Sequence, residues 1–121
     1  MSAKNSTENG MDIVEMHKGP VTIIEPRGSI DTNGAAPFGD RIFEVISSGS
    51  RNLVVDLQHI VYISSAGFRA LLLAHKRADE AKAKLVLCGV SAEVRRLFEL
   101  GRFLELFTIC ATRDEGIAKA T

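Results

Sequence analysis

The chain has 121 residues and a mass of 13.1 kDa, with 45% hydrophobic and 25% charged residues, which is the composition of one globular domain with its own core. Fifteen basic and fifteen acidic residues give a formal net charge of zero, which disfavours nucleic-acid binders because they carry a basic excess. No apolar run reaches the roughly 18 residues of a membrane span, and the start of the chain lacks the apolar stretch of a signal peptide. The composition therefore predicts a cytoplasmic protein that neither inserts into membranes nor binds nucleic acid.

The first part of the chain predicts a disordered leader followed by a β-hairpin. Residues 1–11 are mostly small and polar, as in flexible termini, so the domain is expected over residues 12–121. Two runs of β-favouring residues, 13–16 and 21–24, flank a His-Lys-Gly-Pro turn, which is a hairpin pattern. The glycines and polar residues of 26–34 then indicate a loop.

Beyond this loop, the pattern alternates between helices and strands. Apolar residues at helical spacing indicate a first helix, with Pro37 expected in its first turn. Two short and nearly continuous apolar runs, 53–57 and 85–90, are typical of parallel strands that are buried on both faces. A second helix is expected to begin near Ser65, after a loop that includes residues 61–63.

The C-terminal part completes an α/β pattern. A third helix is expected after the N-cap residue Ser91, a short strand at 107–110, and a last helix at the capping-box pair Thr112 and Glu115. The predicted order is β-β-α-β-α-β-α-β-α. Because strands that alternate with helices form largely parallel sheets, the sequence predicts a single α/β domain. Its mixed, mostly parallel sheet would begin with the antiparallel hairpin.

The usual catalytic and cofactor-binding motifs are missing from the sequence. It contains no phosphate-binding loop, no dinucleotide fingerprint and no nucleophile elbow. Cys88 and Cys110 lack metal-ligand spacing and are expected to be reduced thiols of the core. We expect no enzymatic activity, cofactor or metal. One enzymatic alternative stays open, a small hydrolase with Ser65 as nucleophile and His59 as base.

The most informative stretch is residues 54–73, VVDLQHIVYISSAGFRALLL. A buried strand ends at Asp56, and after a short loop a helix opens at Ser64 and Ser65. In open α/β sheets, ligands and partners bind in the crevice outside the carboxyl ends of the strands. A serine there can serve as an N-cap. It can also be a phosphorylation site, because helix N-termini stabilise phosphate.

The same stretch resembles the signature of the STAS domain of bacterial anti-sigma factor antagonists. That signature is a hydrophobic strand ending in D-L, a short loop, and then I-D-S-S-G followed by Leu or Phe at the opening of a helix. The matching residues are Asp56-Leu57 and Ile63-Ser64-Ser65-Ala66-Gly67-Phe68. The similarity extends to Gly28-Ser29-Ile30-Asp31, 85–91 and 94–100, and it covers residues 12–118 in all.

This resemblance implies a partner-switching phosphoprotein in signalling and transcription regulation. In the family, the unphosphorylated antagonist binds an anti-sigma factor, which is a serine kinase with a histidine-kinase-like ATPase fold, and so frees the sigma factor. The kinase phosphorylates the antagonist, which dissociates the pair, and a metal-dependent serine phosphatase restores binding. The acceptor carried over to this chain is Ser65. Ser64 is the second choice, because it replaces the family's aspartate, while Ala66 replaces the family's second serine.

The resemblance also implies which residues form the switching surface. Asp56 would support the acceptor loop. The expected partner-binding residues are Asp31, Thr32, Ser64, Ala66, Gly67, Phe68 and Arg69. For Phe68, packing in the core is the open alternative. The protein would be a monomer or weak dimer; the alternative function is a non-switching STAS scaffold subunit of a larger signalling or lipid-transport assembly.

Overall fold

The computed structural model describes residues 3–8 and 11–121, which form a seven-stranded sheet with four α-helices. The strands are β1 (Ala3–Glu8), β2 (Met11–Lys18), β3 (Val21–Ile30), β4 (Asn52–Asp56), β5 (Ile60–Ile63), β6 (Lys84–Cys88) and β7 (Thr108–Cys110). The helices are α1 (Thr32–Ser47), α2 (Ser65–Glu80), α3 (Ala92–Leu100) and α4 (Arg113–Ala120), with a 3-10 turn at Leu104–Leu106. None of these helices has the length and apolar character needed to cross a membrane.

The sheet is mixed and mostly parallel, as the sequence predicts. Its strand order is β1-β2-β3-β4-β6-β7, and β5 pairs with the end of β3 beside this path. β1, β2 and β3 pair antiparallel, whereas the pairs β3–β4, β3–β5, β4–β6 and β6–β7 are parallel. The predicted α/β domain with an N-terminal hairpin is therefore confirmed.

Helices cover both faces of the sheet. The larger core lies between the sheet and α1, α2 and α3, and the smaller core lies under α4. Within β4, Leu53 and Val55 belong to the larger core and Val54 to the smaller one, and all three are fully buried. Burial on both faces explains why this strand is apolar without alternation.

The predicted loop at 26–34 is wrong, because β3 continues through Pro26 and ends at Ile30. Pro26 lies opposite Ile13 of β2. Gly28 adopts a φ of 105°, and its N–H donates to the carbonyl of His59 at 3.0 Å. The pairing of β3 with β5 shifts register just after this glycine. Pairing with β2 on one side and β5 on the other thus overrides the local preference of proline and glycine for loops.

Two further local predictions are wrong. Residues 61–63 belong to β5 and do not form a loop, because they pair with the part of β3 that looked like a loop. Pro37 lies beyond the first turn of α1, because that helix already begins at Thr32 after the N-cap Asp31.

The start of the chain also differs from the predicted leader over residues 1–11. Residues 3–8 pair with β2 as an antiparallel strand, and Met11 is fully buried in the larger core. Residues 1, 2, 9 and 10 lie outside the described residues. The start of the functional domain at residue 12 stays a prediction.

Candidate functional site

Two helices begin side by side at one edge of the sheet. Ile30, the last residue of β3, is paired with Ile63, the last residue of β5. Each strand leads almost directly into a helix, α1 or α2. The N–H of Ser64 donates to the carbonyl of Ile30 at 2.9 Å, which ties the start of α2 to the end of β3. The site is therefore built by the parallel pairing of β3 with β5.

Each of these helices has a side-chain N-cap. The Asp31 carboxylate accepts from the N–H of Gly34 at 2.9 Å, and the Ser64 hydroxyl accepts from the N–H of Gly67 at 3.1 Å. The Ser64 hydroxyl also donates to the carbonyl of Ile30 at 3.2 Å. Ser64 thus fills the capping role that the sequence left open for this pair of serines, and its hydroxyl is engaged as both donor and acceptor.

Ser65 has a different environment. It is the first residue of α2 and is exposed, whereas Ser64 is partly buried. Within the part of the chain that the structure describes, the Ser65 hydroxyl has no hydrogen-bond partner. The two neighbouring serines therefore differ in their environments. Of the two, Ser65 has the hydroxyl that is exposed and makes no hydrogen bond to the described residues.

We predict that Ser64→Ala lowers the free energy of unfolding by about 1 kcal/mol, because α2 loses its cap. The matched variant Ser65→Ala removes a hydroxyl that makes no described hydrogen bond, so we expect a change within about 0.5 kcal/mol. Urea denaturation of both variants measures the difference. Equal losses for the two serines would show that the structure assigns the cap wrongly.

The backbone at Gly67 lies so close to neighbouring residues that no side chain fits at this position. A Cβ at this position would lie 2.5 Å from the carbonyl oxygen of Ile30 and 2.8 Å from the Cγ2 atom of Ile63. Any side chain would push α2 away from the ends of β3 and β5. This contact explains a glycine two residues after Ser65, and the role is structural because Gly67 is buried.

A groove of about 450 Å³ runs from Ser65 between α2 and α3. Among its lining residues are Tyr62 and Leu100, whose exposed fractions are 48% and 78%. Neither residue was predicted from the sequence as part of the site. Leu100 lies outside the buried positions of α3, Val94 and Phe98, and an apolar residue outside the core stripe is a signal that could have indicated this groove.

The remaining predicted partner-binding residues fall into two groups. Thr32 and Arg69 are exposed, and Asp31 and Ala66 are partly buried near the same two helix starts. Phe68 is only 5% exposed and packs in the core, with ring centroids 4.9 Å from Phe98 and 4.7 Å from Phe103. Core packing, the alternative left open by the sequence, therefore describes Phe68, which forms part of the groove's wall.

Asp56 is the last residue of β4 and lies before the turn into β5. Its carboxylate accepts from the N–H of Gln58 at 3.1 Å and from the side-chain amide at 2.7 Å, which fixes the turn into β5. It also accepts from Nε of Arg113 at 2.8 Å, while Nη2 of Arg113 donates to Glu25 at 2.8 Å. These described contacts include neither Ser64 nor Ser65, so any influence on the serines passes through the backbone.

Burial and charge shift the pKa values of two groups that interact with Asp56, namely Arg113 and Cys88. Burial lowers the pKa of Arg113, but the hydrogen bond and charge of Asp56, together with Glu25, outweigh it and raise that pKa above its usual value. Burial and then the charge of Asp56 raise the pKa of Cys88 to about 12. Cys88 is therefore a neutral thiol at physiological pH.

Within residues 11–121, no three His, Cys, Asp or Glu side chains form a group that could hold a metal ion.

The structure argues against the hydrolase alternative. His59 precedes β5 and Ser65 follows it, and four extended residues span roughly 13 Å. The Nε2 atom of His59 lies instead 3.5 Å from Glu25 Oε1. A general base must reach its nucleophile directly or through one water, so these two residues do not form a catalytic pair.

Comparisons with known proteins agree with this architecture. A Bordetella bronchiseptica protein named as an anti-sigma factor antagonist, BtrV, is 33% identical over 92 residues, which cover 76% of this chain and 79% of that protein. The crystal structure of an anti-sigma factor antagonist from Mycobacterium paratuberculosis superposes with a TM-score of 0.83 at 18% identity, over 95% of this chain and 97% of that one. The structure of the Bacillus cell fate determinant SpoIIAA in its phosphorylated form gives a TM-score of 0.67 at 15% identity, over 99% and 100% of the two chains. The family model of the STAS domain matches residues 13–116, and the chain therefore belongs to the STAS domain family.

Proposed function

We propose that this protein is a cytoplasmic anti-sigma factor antagonist whose binding is switched by phosphorylation of Ser65. The observation that carries the proposal is the division of roles between two adjacent serines. Ser64 caps α2, while the Ser65 hydroxyl is exposed and unengaged among the described residues. The name of the Bordetella relative and the existence of a phosphorylated form of SpoIIAA support the proposal. In this proposal the protein acts as a regulator without enzymatic activity of its own.

The proposed partners are those of a partner-switching pathway. The unphosphorylated protein binds an anti-sigma factor serine kinase with a histidine-kinase-like ATPase fold, and a metal-dependent serine phosphatase restores the bare form. Residues 12–121 form the proposed functional unit. The partner contacts the surface around Ser65, with Asp31 and Thr32 at the start of α1 and Ala66 and Arg69 on α2.

Phosphorylation at this position changes the surface without requiring a change of fold. A phosphoserine carries about 1.5 to 2 negative charges at neutral pH, and the unpaired N–H groups and dipole of the first helical turn stabilise an anion there. The modified protein therefore keeps its structure. In a complex, however, the dianion must lose its hydration or meet carboxylates of the partner, and an uncompensated buried charge costs several kcal/mol. A hydroxyl at the same place costs little.

We predict that the protein purified from its native cells carries a single phosphate on Ser65. Intact-mass measurement followed by fragmentation locates the modified residue, and Ser64→Ala serves as the control because it leaves the proposed acceptor in place. The phosphate is expected in the control and is expected to be lost in Ser65→Ala. Modification of Ser64 in the unaltered protein would move the acceptor. A protein that stays unmodified in every growth condition and forms a stable large assembly would favour the scaffold alternative.

A further inference from the structure

Arg69 lies one helical turn beyond Ser65 and has no partner of its own among the described residues. It is exposed, and no described carboxylate, carbonyl or ring is bound to its guanidinium. By contrast, Arg27 and Arg113 pair with Glu25. Arg69 is also the only charged residue among those that line the groove beside Ser65. The site therefore combines one free hydroxyl with one free guanidinium.

Helix geometry directs the Arg69 side chain towards Ser65. Residues four apart in a helix lie on one face, with Cβ atoms about 5–6 Å apart. The Cα–Cβ bonds of a helix tilt towards its N-terminus, so a long side chain covers the preceding turn. The preceding turn here is the one that opens with Ser65. A phosphate on Ser65 would thus lie within reach of the guanidinium.

The dipole of α2 does not favour a cation at this position. The N-terminal end of a helix is positive and favours anions, so a cation near it is mildly unfavourable. No acidic residue lies in the first turn of α2 to compensate it. An anion added at the start of the helix would give this cation a favourable electrostatic partner.

We propose that Arg69 binds the phosphate group of phosphorylated Ser65 within the same chain, an inference that rests on Ser65 being the acceptor of the proposed function. An acidic group four residues before a basic one is the favourable order for such a pair in a helix. The planar guanidinium can bind two phosphate oxygens at once, and charge-assisted bonds of this type are strong. The N–H groups at the start of α2, other than that of Gly67, which Ser64 already binds, bind the remaining oxygen.

This pairing makes phosphorylation change the partner surface in two ways. It adds negative charge at Ser65, and it occupies the one cation of the groove. A partner that places a carboxylate against Arg69 then loses that contact and meets the phosphate instead. The unphosphorylated surface, with apolar walls and a single guanidinium, matches a partner segment that carries both an apolar and an acidic side chain.

The test uses the full chain with phosphoserine installed at position 65 during synthesis. A pH titration followed by ³¹P NMR gives the second pKa of the phosphate, which is about 6 in an unperturbed phosphoserine. We expect Arg69→Gln to raise this pKa by about 0.3 unit or more, because the neighbouring cation no longer favours the dianion. Arg69→Lys keeps the charge and is expected to keep most of the effect.

Lys76→Gln is the matched control, since it removes one exposed cation from the same helix. Lys76 is eleven residues from Ser65, or roughly 16 Å along the axis, which exceeds the screening length of about 8 Å at physiological salt. We expect the control to leave the pKa unchanged. An unchanged pKa in Arg69→Gln, or equal shifts in Arg69→Gln and Lys76→Gln, would overturn the inference.

The outcome separates this inference from the proposed function. The phosphate is installed without a kinase, so the titration reports on Arg69 whether or not cells modify Ser65. If Arg69→Gln has no effect, the switch at Ser65 still stands on its own test. If native cells never phosphorylate Ser65, the switch fails and the titration result is unaffected.

Discussion

Ser65→Glu is expected to weaken binding to the partner kinase by about 100-fold relative to Ser65→Ala, which corresponds to about 3 kcal/mol. The glutamate places a permanent negative charge where the complex would otherwise bury a small hydroxyl. Ser65→Ala cannot be phosphorylated and is expected to bind constitutively. Isothermal titration of both variants with the kinase, captured from native cells on the alanine variant, measures the ratio.

Ser47→Glu provides the matched control for added charge. Ser47 is exposed and is the last residue of α1, so it lies roughly 22 Å along that helix from the two clustered helix starts. We expect this variant to bind like the unaltered protein. Equal weakening by Ser65→Glu and Ser47→Glu would attribute the effect to net charge, and equal affinity of Ser65→Glu and Ser65→Ala would contradict the proposed switch.

Arg113→Met is expected to lower the free energy of unfolding by about 3 kcal/mol, because it leaves two buried carboxylates without their shared cation. Asp56 and Glu25 are 0% and 3% exposed, and both accept hydrogen bonds from Arg113. The methionine keeps most of the side-chain volume, so the loss reports on charge and hydrogen bonding. Urea denaturation at neutral pH measures it.

Arg95→Met removes an arginine whose described ion pair, with Glu99, is exposed to solvent. Exposed pairs of this kind contribute about 0.3–0.5 kcal/mol, so this control is expected to be nearly as stable as the unaltered protein. Similar losses in the two variants would mean that the Asp56–Arg113–Glu25 cluster does not hold α4 to the sheet.

The parts of the fold that were predictable from sequence are those whose pattern is local. Residues 53–55 and 85–88 are apolar because their strands are buried on both faces, and such runs can be recognised without knowing what covers them. The N-caps Ser91 and Thr112 were also predictable, and their side chains accept from Val94 and Glu115 as capping geometry requires. These hydrogen bonds join residues three positions apart, so the local sequence pattern is enough to predict them.

The parts that were not predictable depend on distant pairing. The end of β3 contains Pro26 and Gly28, and it is a strand only because β2 and β5 pair with it. β5 in turn depends on β3. The hydrogen-bonded ion pair between Asp56 and Arg113 joins residues 57 positions apart. The local sequence around either residue does not predict that the two are partners.

The candidate site shows the same division between local and distant information. The motif identified Ser64 and Ser65 as a pair at the start of a helix. The Ser64 hydroxyl that caps α2 also donates to the carbonyl of Ile30, 34 positions before it, and the local pattern does not indicate this contact. The groove lining depends on how α3 packs beside α2, which places Leu100 in the lining of the same groove as Ser65. Sequence could locate the helix start, and tertiary packing distinguishes the two serines.

The most direct test of the central claim adds ATP and magnesium to a preformed complex of this protein with its captured kinase. Dissociation is followed by light scattering, while the phosphate is located by fragmentation of samples from the same reaction. The proposed switch predicts that the complex separates as one phosphate appears on Ser65, and that a complex of Ser65→Ala stays intact. Phosphorylation of Ser65 in a complex that remains assembled would contradict the claim that this modification releases the partner.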